Sequence, residues 1–138
     1  MPNDINITVT DRFGRRCASS GSTWEPKLGY SRAVRSGNLI AVTGTVGCNA
    51  DGSYAPTIAG QARRSLQIIR TALEALGGKL EHVIRTRMFV TDVTKWEEVA
   101  KVHGEVFGEI RPATTIVQVA RLIDLDAQIE IEVDAVVP

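Results

Sequence analysis

The sequence lacks the features that mark several large protein classes. Lys plus Arg and Asp plus Glu number 16 each, so the formal net charge is zero. A neutral chain has no long-range attraction for nucleic acid or for an anionic membrane. No apolar run approaches the roughly 20 residues that span a bilayer, and the polar beginning of the chain lacks the order of a signal peptide. We therefore expect no nucleic-acid partner, no membrane contact and a cytoplasmic location.

Cysteine and histidine are also scarce. The chain has two of each, and Cys17 and Cys48 stand alone, without a second ligand at the Cys-x-x-Cys spacing of a zinc site. No glycine-rich loop follows a predicted strand in the pattern that cradles phosphate groups. We therefore expect no metal and no cofactor, and we interpret both cysteines as reduced, structural thiols.

Acidic residues alternate with apolar residues in the last quarter of the chain. From Gln128 onward, Glu130, Glu132 and Asp134 lie at every second position, which is the period of a strand buried on one face. Carboxylates aligned on one face of a sheet repel each other and resist desolvation. This face must therefore meet water, cations or a partner subunit, and we expect the functional site there.

Two segments have the apolar spacing of amphipathic helices. In residues 58–76, apolar positions recur at intervals of three and four, with Thr57 as the predicted N-cap and Gly77-Gly78 after the end. The sequence Thr94-Lys-Trp-Glu97 matches a capping box. It predicts that a second helix begins there and ends near Gly108.

Alternating patterns predict further strands. Residues 30–35 and 39–43 are expected to form a hairpin around the turn Ser36-Gly37-Asn38. Residues 83–90 and 114–119 alternate as well, and each segment is predicted to be one strand.

Residues 1–29 are the least regular part of the chain. They begin with an alternating segment, and small and turn-forming residues from Cys17 onward then predict a loop. Trp24 lies in that loop. Its large ring either covers an edge of the core or lines a pocket.

The order of these elements predicts one α+β domain over residues 1–138, with both helices packed on one face of a mixed sheet. If water covered the other face, the apolar side chains of Val83, Phe89 and Ile116 would be exposed to solvent, which is unfavourable. We therefore expect another subunit to cover that face, with polar clefts at the boundary between the subunits. The polar residues assigned to that face are Arg85, Arg87, Thr114, Gln118, Glu130, Glu132 and Asp134.

From Tyr30 onward the chain contains several short motifs in a fixed order. They are Tyr30-Ser-Arg-Ala-Val-Arg-Ser-Gly-Asn-Leu, Thr43-Gly44, Gln61-x-x-x-Ser-Leu, Arg85-Thr-Arg-Met-Phe-Val-Thr-Asp92, Pro112-Ala113, Val117-Gln-Val-Ala-Arg-Leu and Glu130-Ile-Glu132. Together they resemble the RidA/YjgF group, also labelled endoribonuclease L-PSP-like. The resemblance implies a chorismate-mutase-like fold, a homotrimer, and three clefts between subunits that bind a small molecule.

Many members of that group hydrolyse reactive enamines or imines to a 2-oxo acid and ammonia. Their carboxylate anchor is normally the arginine of a Pro-Ala-Arg motif, because a guanidinium gives two parallel hydrogen bonds. This chain has Pro112-Ala113-Thr114 instead, and a threonine hydroxyl carries no charge. Ala100 and His103 stand where an asparagine and a tyrosine are usual, and His103 is either a cleft contact or an ordinary boundary residue.

The resemblance and the strand pattern together give candidate site residues. Glu130 corresponds to the acid that positions the attacking water, and burial beside like charges favours a raised proton affinity. The alternative for Glu130 is a solvated or ion-paired strand residue, as we expect for Glu132 and Asp134. A replacement for the missing cation would have to come from another arginine, and the sequence does not choose between Arg32, Arg35, Arg85, Arg87 and Arg121. The candidate substrate-binding residues are Tyr30, Thr43, Gly44, His103, Thr114 and Ile116.

Two functions are consistent with these features. The first is a divergent RidA-like trimer that binds a small metabolite in its intersubunit clefts and acts as an imine or enamine deaminase, on substrates other than ordinary 2-imino acids. The second is a non-catalytic trimer that binds a metabolite or regulates another protein through the same clefts. Ribonuclease activity finds no support, since the chain lacks a basic stripe with interleaved aromatic residues.

Overall fold

Seven strands form one sheet in the computed structural model, which describes residues 4–138. The strands are β1 (Thr8–Arg12), β2 (Arg15–Ser19), β3 (Ala33–Ser36), β4 (Leu39–Val46), β5 (Val83–Val90), β6 (Ala113–Gln118) and β7 (Ile129–Val136). Their spatial order is β1-β2-β3-β4-β7-β5-β6. All neighbours are antiparallel except β5 and β6, which are parallel, so the sheet is mixed as expected.

Three helices accompany the sheet: α1 (Trp24–Leu28), α2 (Ile58–Ala75) and α3 (Trp96–Phe107). The buried faces of α2 and α3 join the inner face of the sheet in one apolar core. This is the predicted α+β arrangement with two long helices on one face of the sheet. Among residues 4–138, no helix has the length and apolar content needed to cross a membrane.

The strand β7 confirms the alternation read from its sequence. Ile129, Ile131, Val133 and Ala135 are fully buried against the helices, and the carboxylates between them lie on the other face. Burying an isoleucine or valine side chain stabilises the fold by about 1.5–3 kcal/mol. The central position of β7, between β4 and β5, therefore holds Glu130 on a rigid support.

The predicted hairpin of β3 and β4 is also confirmed, and β4 contains a β-bulge. Val42 pairs with Val133 and Thr45 with Ile131, so two residues of β4, Thr43 and Gly44, lie opposite one residue of β7. The bulge brings the backbone of Gly44 toward the outer face of the sheet.

The prediction of a loop from Cys17 onward was wrong for residues 17–19, which belong to β2, and for the residues from Trp24, which form α1; it holds for residues 20–23 between them. The strands β1 and β2 form an antiparallel hairpin, and β2 continues the sheet by pairing with β3. The turn lies earlier, at Phe13-Gly14, where both residues have positive φ. Small residues from Cys17 onward are compatible with a strand here because Ala18 is fully buried and packs in the core. Residues 1–3 of this segment lie outside the described residues.

The strand β5 has the predicted bounds, but its first residues face the opposite way. The register shifts between Val83 and Arg85, so Val83 is buried and Ile84 is exposed. The strict alternation from Val83 that the sequence predicted is broken by this irregularity.

The assignment of β6 to the charged face was also wrong. Thr114 pairs with Thr86, Ile116 with Met88, and Gln118 lies opposite Val90. Residues directly opposite each other in a ladder point to the same face of the sheet. Because Thr86, Met88 and Val90 are buried under the helices, their partners on β6 face the helices too. Alternation alone gives the period of a strand and does not give its face.

The two long helices begin differently from each other. For α2, the Thr57 hydroxyl accepts a hydrogen bond from the Gly60 backbone N–H, and Gly77 follows the helix in the left-handed region, as expected. The capping box at Thr94 is wrong. The carboxylate of Asp92 accepts hydrogen bonds from the backbone N–H and hydroxyl of Thr94, which forms a 3₁₀ turn, and α3 begins only at Trp96.

Candidate functional site

A cavity of about 740 Å³ opens on the sheet face that carries the carboxylates. Glu130 of β7 lies in its wall, together with Gly44 of β4 and Tyr30, which follows α1. Glu130 is placed there by its neighbours on both sides, because it pairs with Val46 of β4 and Phe89 of β5. Three of the candidate residues therefore lie in one cavity.

Gly44 and Glu130 are in close contact. A Cβ atom added to Gly44 would lie 2.9 Å from Cδ of Glu130 and 3.1 Å from its Oε1. Only a residue without a side chain leaves room for the carboxylate in this position. The glycine at the bulge thus determines where the carboxylate of Glu130 lies.

Arg32 lies beside this pair and is 9% exposed. Its Nη2 donates a hydrogen bond of 2.8 Å to the Gly44 carbonyl, and the guanidinium carbon lies 5.6 Å from the centre of the Tyr30 ring. The buried Nε has no hydrogen-bond partner among the described residues. Burial lowers the pKa of Arg32, and the nearby charges of Glu25 and Glu130 act in the opposite direction. Arg32 therefore brings a buried positive charge to the cavity.

The pKa of Glu130 is raised. Burial is the main cause, and the negative charge of Glu132 adds to it, whereas the positive charge of Arg32 lowers the pKa. A carboxylate with raised proton affinity is a better general base when ionised. The environment of Glu130 thus favours proton transfer at this position.

Thr43 lies next to Gly44 in the bulge, but its hydroxyl is engaged elsewhere. The Oγ1 atom donates a hydrogen bond of 2.6 Å to the carbonyl of Ser31. The side chain of Thr43 therefore ties β4 to the segment that leads from Tyr30 into β3.

The remaining candidate residues lie on the helix side of the sheet, away from Glu130. The Oγ1 atom of Thr86 lies 2.9 Å from Nε2 of His103 and 2.8 Å from Oγ1 of Thr114, whose hydroxyl also donates to the Pro112 carbonyl. Burial lowers the pKa of His103, which favours the neutral ring. Ile116 packs against the core nearby. Within one chain, His103, Thr114 and Ile116 form a group separate from the cavity.

The structure distinguishes between the arginines that the sequence left open. Arg87 lies 3.7 Å from Glu132 and 3.2 Å from Asp134, so it neutralises the carboxylate face. Arg35 donates to the carbonyls of Gly37 and Leu76. The two members of the set that line the cavity are Arg32 and Arg121.

Several residues that line the cavity were not candidates from the sequence. Trp24 is the first residue of α1 and lines the cavity, so the pocket alternative for its ring is the one the structure adopts. Phe89, Ile123 and Arg64 line it as well. Phe89 could have been found from its position next to Glu130 in the register of two predicted strands, whereas the loop residue Ile123 gave no signal.

Comparison with known proteins gives related sequences and structures. A family model described as Endoribonuclease L-PSP matches residues 21–137. The chain is 34% identical over 124 residues to the uncharacterized protein SCO2049 of Streptomyces coelicolor, covering 87% of this chain and 90% of that protein. It is 35% identical over 111 residues to the 2-iminobutanoate/2-iminopropanoate deaminase of Escherichia coli K12, covering 78% of this chain and 86% of that protein.

Among solved structures, the fold is similar to Rv2704 from Mycobacterium tuberculosis, described as a member of the highly conserved YjgF/YER057c/UK114 family. The TM-score is 0.83 and the sequence identity 46%, with 89% of this chain and 99% of that chain covered. The region matched by the family model contains Tyr30, Gly44 and Glu130.

Proposed function

We propose that this chain, which belongs to the Endoribonuclease L-PSP family, hydrolyses the carbon–nitrogen bond of a small imine or enamine in the cavity that contains Glu130. One observation carries the proposal. The Glu130 carboxylate lies in a cavity wall, with a pKa raised by burial and with Gly44 leaving room for it. A relative of this chain is named 2-iminobutanoate/2-iminopropanoate deaminase, which supports the same reaction class.

The chemistry needs a water molecule and a proton acceptor. Glu130 takes a proton from water while the water oxygen bonds to the imine carbon, and the electrons of the C=N bond move to nitrogen, which takes up a proton. That first proton comes from Glu130, which is thereby ionised again and then carries the hydroxyl proton to nitrogen as well. The C=O bond forms as the C–N bond breaks, and ammonia leaves with the electron pair of that bond. Imine and water are thus converted to carbonyl compound and ammonia, with no cofactor consumed.

We propose further that a homotrimer completes the site. His103, Thr114 and Ile116 lie on the far side of the sheet from Glu130, so a single chain does not bring the two groups together. The strand β6 is an edge of the sheet. If this edge lies against the cavity of the next subunit, cyclic symmetry places both groups in each of three equivalent clefts. A trimeric mass by light scattering is the expected result, and a monomer would contradict it.

The site lacks a guanidinium at position 114, and this predicts which substrates bind poorly. The hydroxyl of Thr114 is already hydrogen-bonded to Thr86 and Pro112. It carries no charge and cannot form the two parallel bonds that arginine gives to a carboxylate. We therefore propose that ordinary 2-imino acids are poor substrates compared with imines that need no carboxylate anchor.

The test is release of ammonia from freshly generated imines, corrected for spontaneous hydrolysis. Glu130→Gln should reduce the catalysed rate by a factor of about 10²–10⁴, the range typical of general acid–base catalysis. Asp134→Asn is the matched control, since Asp134 lies on the same face of β7 but 3.2 Å from Arg87. Full activity of Glu130→Gln would refute the proposal.

The missing guanidinium favours a second candidate, a trimer that binds a metabolite and does not transform it. Arg32 and Arg121 would still give this cavity positive charge. This candidate predicts saturable binding of carbonyl or imine compounds without any release of ammonia above the spontaneous rate.

A further inference from the structure

Large apolar side chains from α1, from β5 and from the loop between β6 and β7 line part of the cavity. We call Trp24, Leu28, Phe89 and Ile123 the apolar wall. Trp24 is 45% exposed, Leu28 61% and Ile123 72%. Large apolar side chains that are exposed together around a cavity are typical of a binding site, whereas single exposed apolar residues are common on any protein surface.

The apolar wall is held in place at both ends. In α1, Trp24 and Leu28 are four residues apart and so lie on the same face of the helix. The helix is fixed by Glu25, which is buried and accepts hydrogen bonds from the hydroxyls of Ser19 and Ser20. Holding these side chains before the ligand arrives reduces the entropy lost on binding.

The loop that carries Ile123 is fixed as well. The hydroxyl of Tyr54 donates a hydrogen bond of 2.9 Å to Oδ2 of the adjacent Asp124. Tyr54 itself lines the cavity, so this bond ties the loop to another segment of the cavity wall. Ile123 is therefore presented from a position anchored to the body of the protein.

The lining of the cavity thus combines two chemically different groups of side chains. Glu130 and Arg32 supply charge, and the apolar wall supplies apolar surface, with Phe89 directly beside Glu130. Binding energy from a part of the substrate that does not react can be used to position the part that does. A substrate that bonds poorly at position 114 would gain that energy from the apolar wall.

We infer that the substrate is an imine or enamine that carries a bulky apolar substituent, of the size of an aromatic ring, packed between Trp24 and Ile123. This inference rests on the proposed function for the identity of the reacting group. The preference for a ring does not depend on turnover, because it concerns binding alone.

The experiment compares phenylpyruvate with pyruvate, two carbonyl compounds that differ by one phenyl group. The chain has two tryptophans, so Trp24 and Trp96 each give one indole N–H resonance by NMR, assignable from single substitutions. We expect phenylpyruvate to shift the Trp24 resonance in a saturable manner and to leave that of Trp96 unchanged. Its affinity should exceed that of pyruvate by roughly tenfold or more, which corresponds to about 1.4 kcal/mol.

Two substitutions complete the test. Trp24→Ala should weaken phenylpyruvate binding roughly tenfold and leave pyruvate binding unchanged. Trp96→Ala is the matched control, since Trp96 is 52% exposed and does not line the cavity, and it should change neither affinity. Light scattering on both variants checks that the mass of the assembly is the same as in the wild type.

The inference is overturned if pyruvate binds as tightly as phenylpyruvate, or if Trp24→Ala weakens both compounds equally. It is also overturned if Trp24→Ala changes the mass of the assembly and not the affinity, because the wall would then be a contact between subunits. Selective binding of phenylpyruvate, without ammonia release from imines that carry an aromatic substituent and no carboxylate, supports the inference about the ligand and refutes the proposed hydrolysis.

Discussion

Gly44 and Glu130 lie so close that a Cβ atom on Gly44 would be 2.9 Å from Cδ of Glu130. The atom it would meet is the far end of a flexible side chain, so the fold can adapt by moving the carboxylate. We expect Gly44→Ala to fold with a change in unfolding free energy below about 1 kcal/mol. Ammonia release should fall about a hundredfold, because a displacement near 1 Å in a catalytic group has an effect of that size.

Gly104→Ala is the control for this substitution. A Cβ atom at Gly104 would meet no heavy atom within 4 Å, and the residue lies in the interior of α3. Alanine should stabilise the helix by about 0.4–1 kcal/mol and leave the activity unchanged. Equal losses of activity in both variants would show that the contact with Glu130 is not the cause.

The raised pKa of Glu130 predicts a dependence of stability on pH. Burial makes the ionised form less favourable in the folded state, so the folded protein holds this proton to a higher pH than the unfolded chain does. The free energy of unfolding should therefore lose a contribution as pH rises from the unfolded pKa, about 4.3, through the folded pKa. Glu130→Gln removes this titration, so urea denaturation should show its stability relative to the wild type increasing over that range.

Substitution of Glu132 gives a second test of the raised pKa of Glu130. Its negative charge is one cause of the raised pKa of Glu130. Glu132→Gln should therefore lower the pKa of Glu130, moving the acid limb of the pH–rate profile to lower pH. A limb that does not move would mean that the charge of Glu132 does not contribute to the raised pKa of Glu130.

Thr114→Arg tests whether β6 meets the cavity of a neighbouring subunit. The new guanidinium would supply the charge that Pro112-Ala113-Thr114 lacks, and kcat/KM for 2-iminopropionate should rise at least about tenfold, the effect of one charged hydrogen bond. Thr115→Arg is the matched control, since it adds the same charge on the opposite face of the same strand. An equal gain in both variants would indicate general attraction of the anion and not a specific anchor.

Thr86 joins His103 and Thr114 in a chain of hydrogen bonds beneath the helices. Thr86→Val keeps the shape and removes the hydroxyl, leaving partly buried polar atoms without a partner. We expect the free energy of unfolding to fall by about 1–3 kcal/mol, measured by urea denaturation. Thr71→Val, which removes a hydroxyl that donates to the Gln67 carbonyl within α2, should change it by less than about 0.5 kcal/mol.

Elements with long, regular patterns were predictable from the sequence. The apolar spacing of α2 and the alternation of β7 identify both elements and their buried faces, since the period of the pattern matches the geometry of each element. In β6 the same reasoning gave the strand but the wrong face. The face of Thr114 is decided by its pairing with Thr86, which is a tertiary contact.

The candidate site was predictable in part. Tyr30, Gly44 and Glu130, selected from the sequence, lie in one cavity. Of the apolar wall, Phe89 could be found from strand pairing, and the sequence left a pocket open as one alternative for Trp24. Ile123 was not predictable, because it lies in a turn without periodicity. The positions of Trp24 and Ile123 depend on α1 and on the bond between Tyr54 and Asp124, which join parts of the chain that are distant in sequence.

The bulge in β4 adds a residue that pairing with β7 does not require and that shapes the cavity. Val42 and Thr45 both pair with inward-facing residues of β7, so deleting one residue between them would restore an ordinary ladder and keep every later side chain on its present side. Such a shortened protein would retain its core. It would lose the present position of the carbonyl that accepts a hydrogen bond from the Arg32 guanidinium, so the extra residue in β4 serves the placement of the cavity side chains and is not needed for pairing with β7.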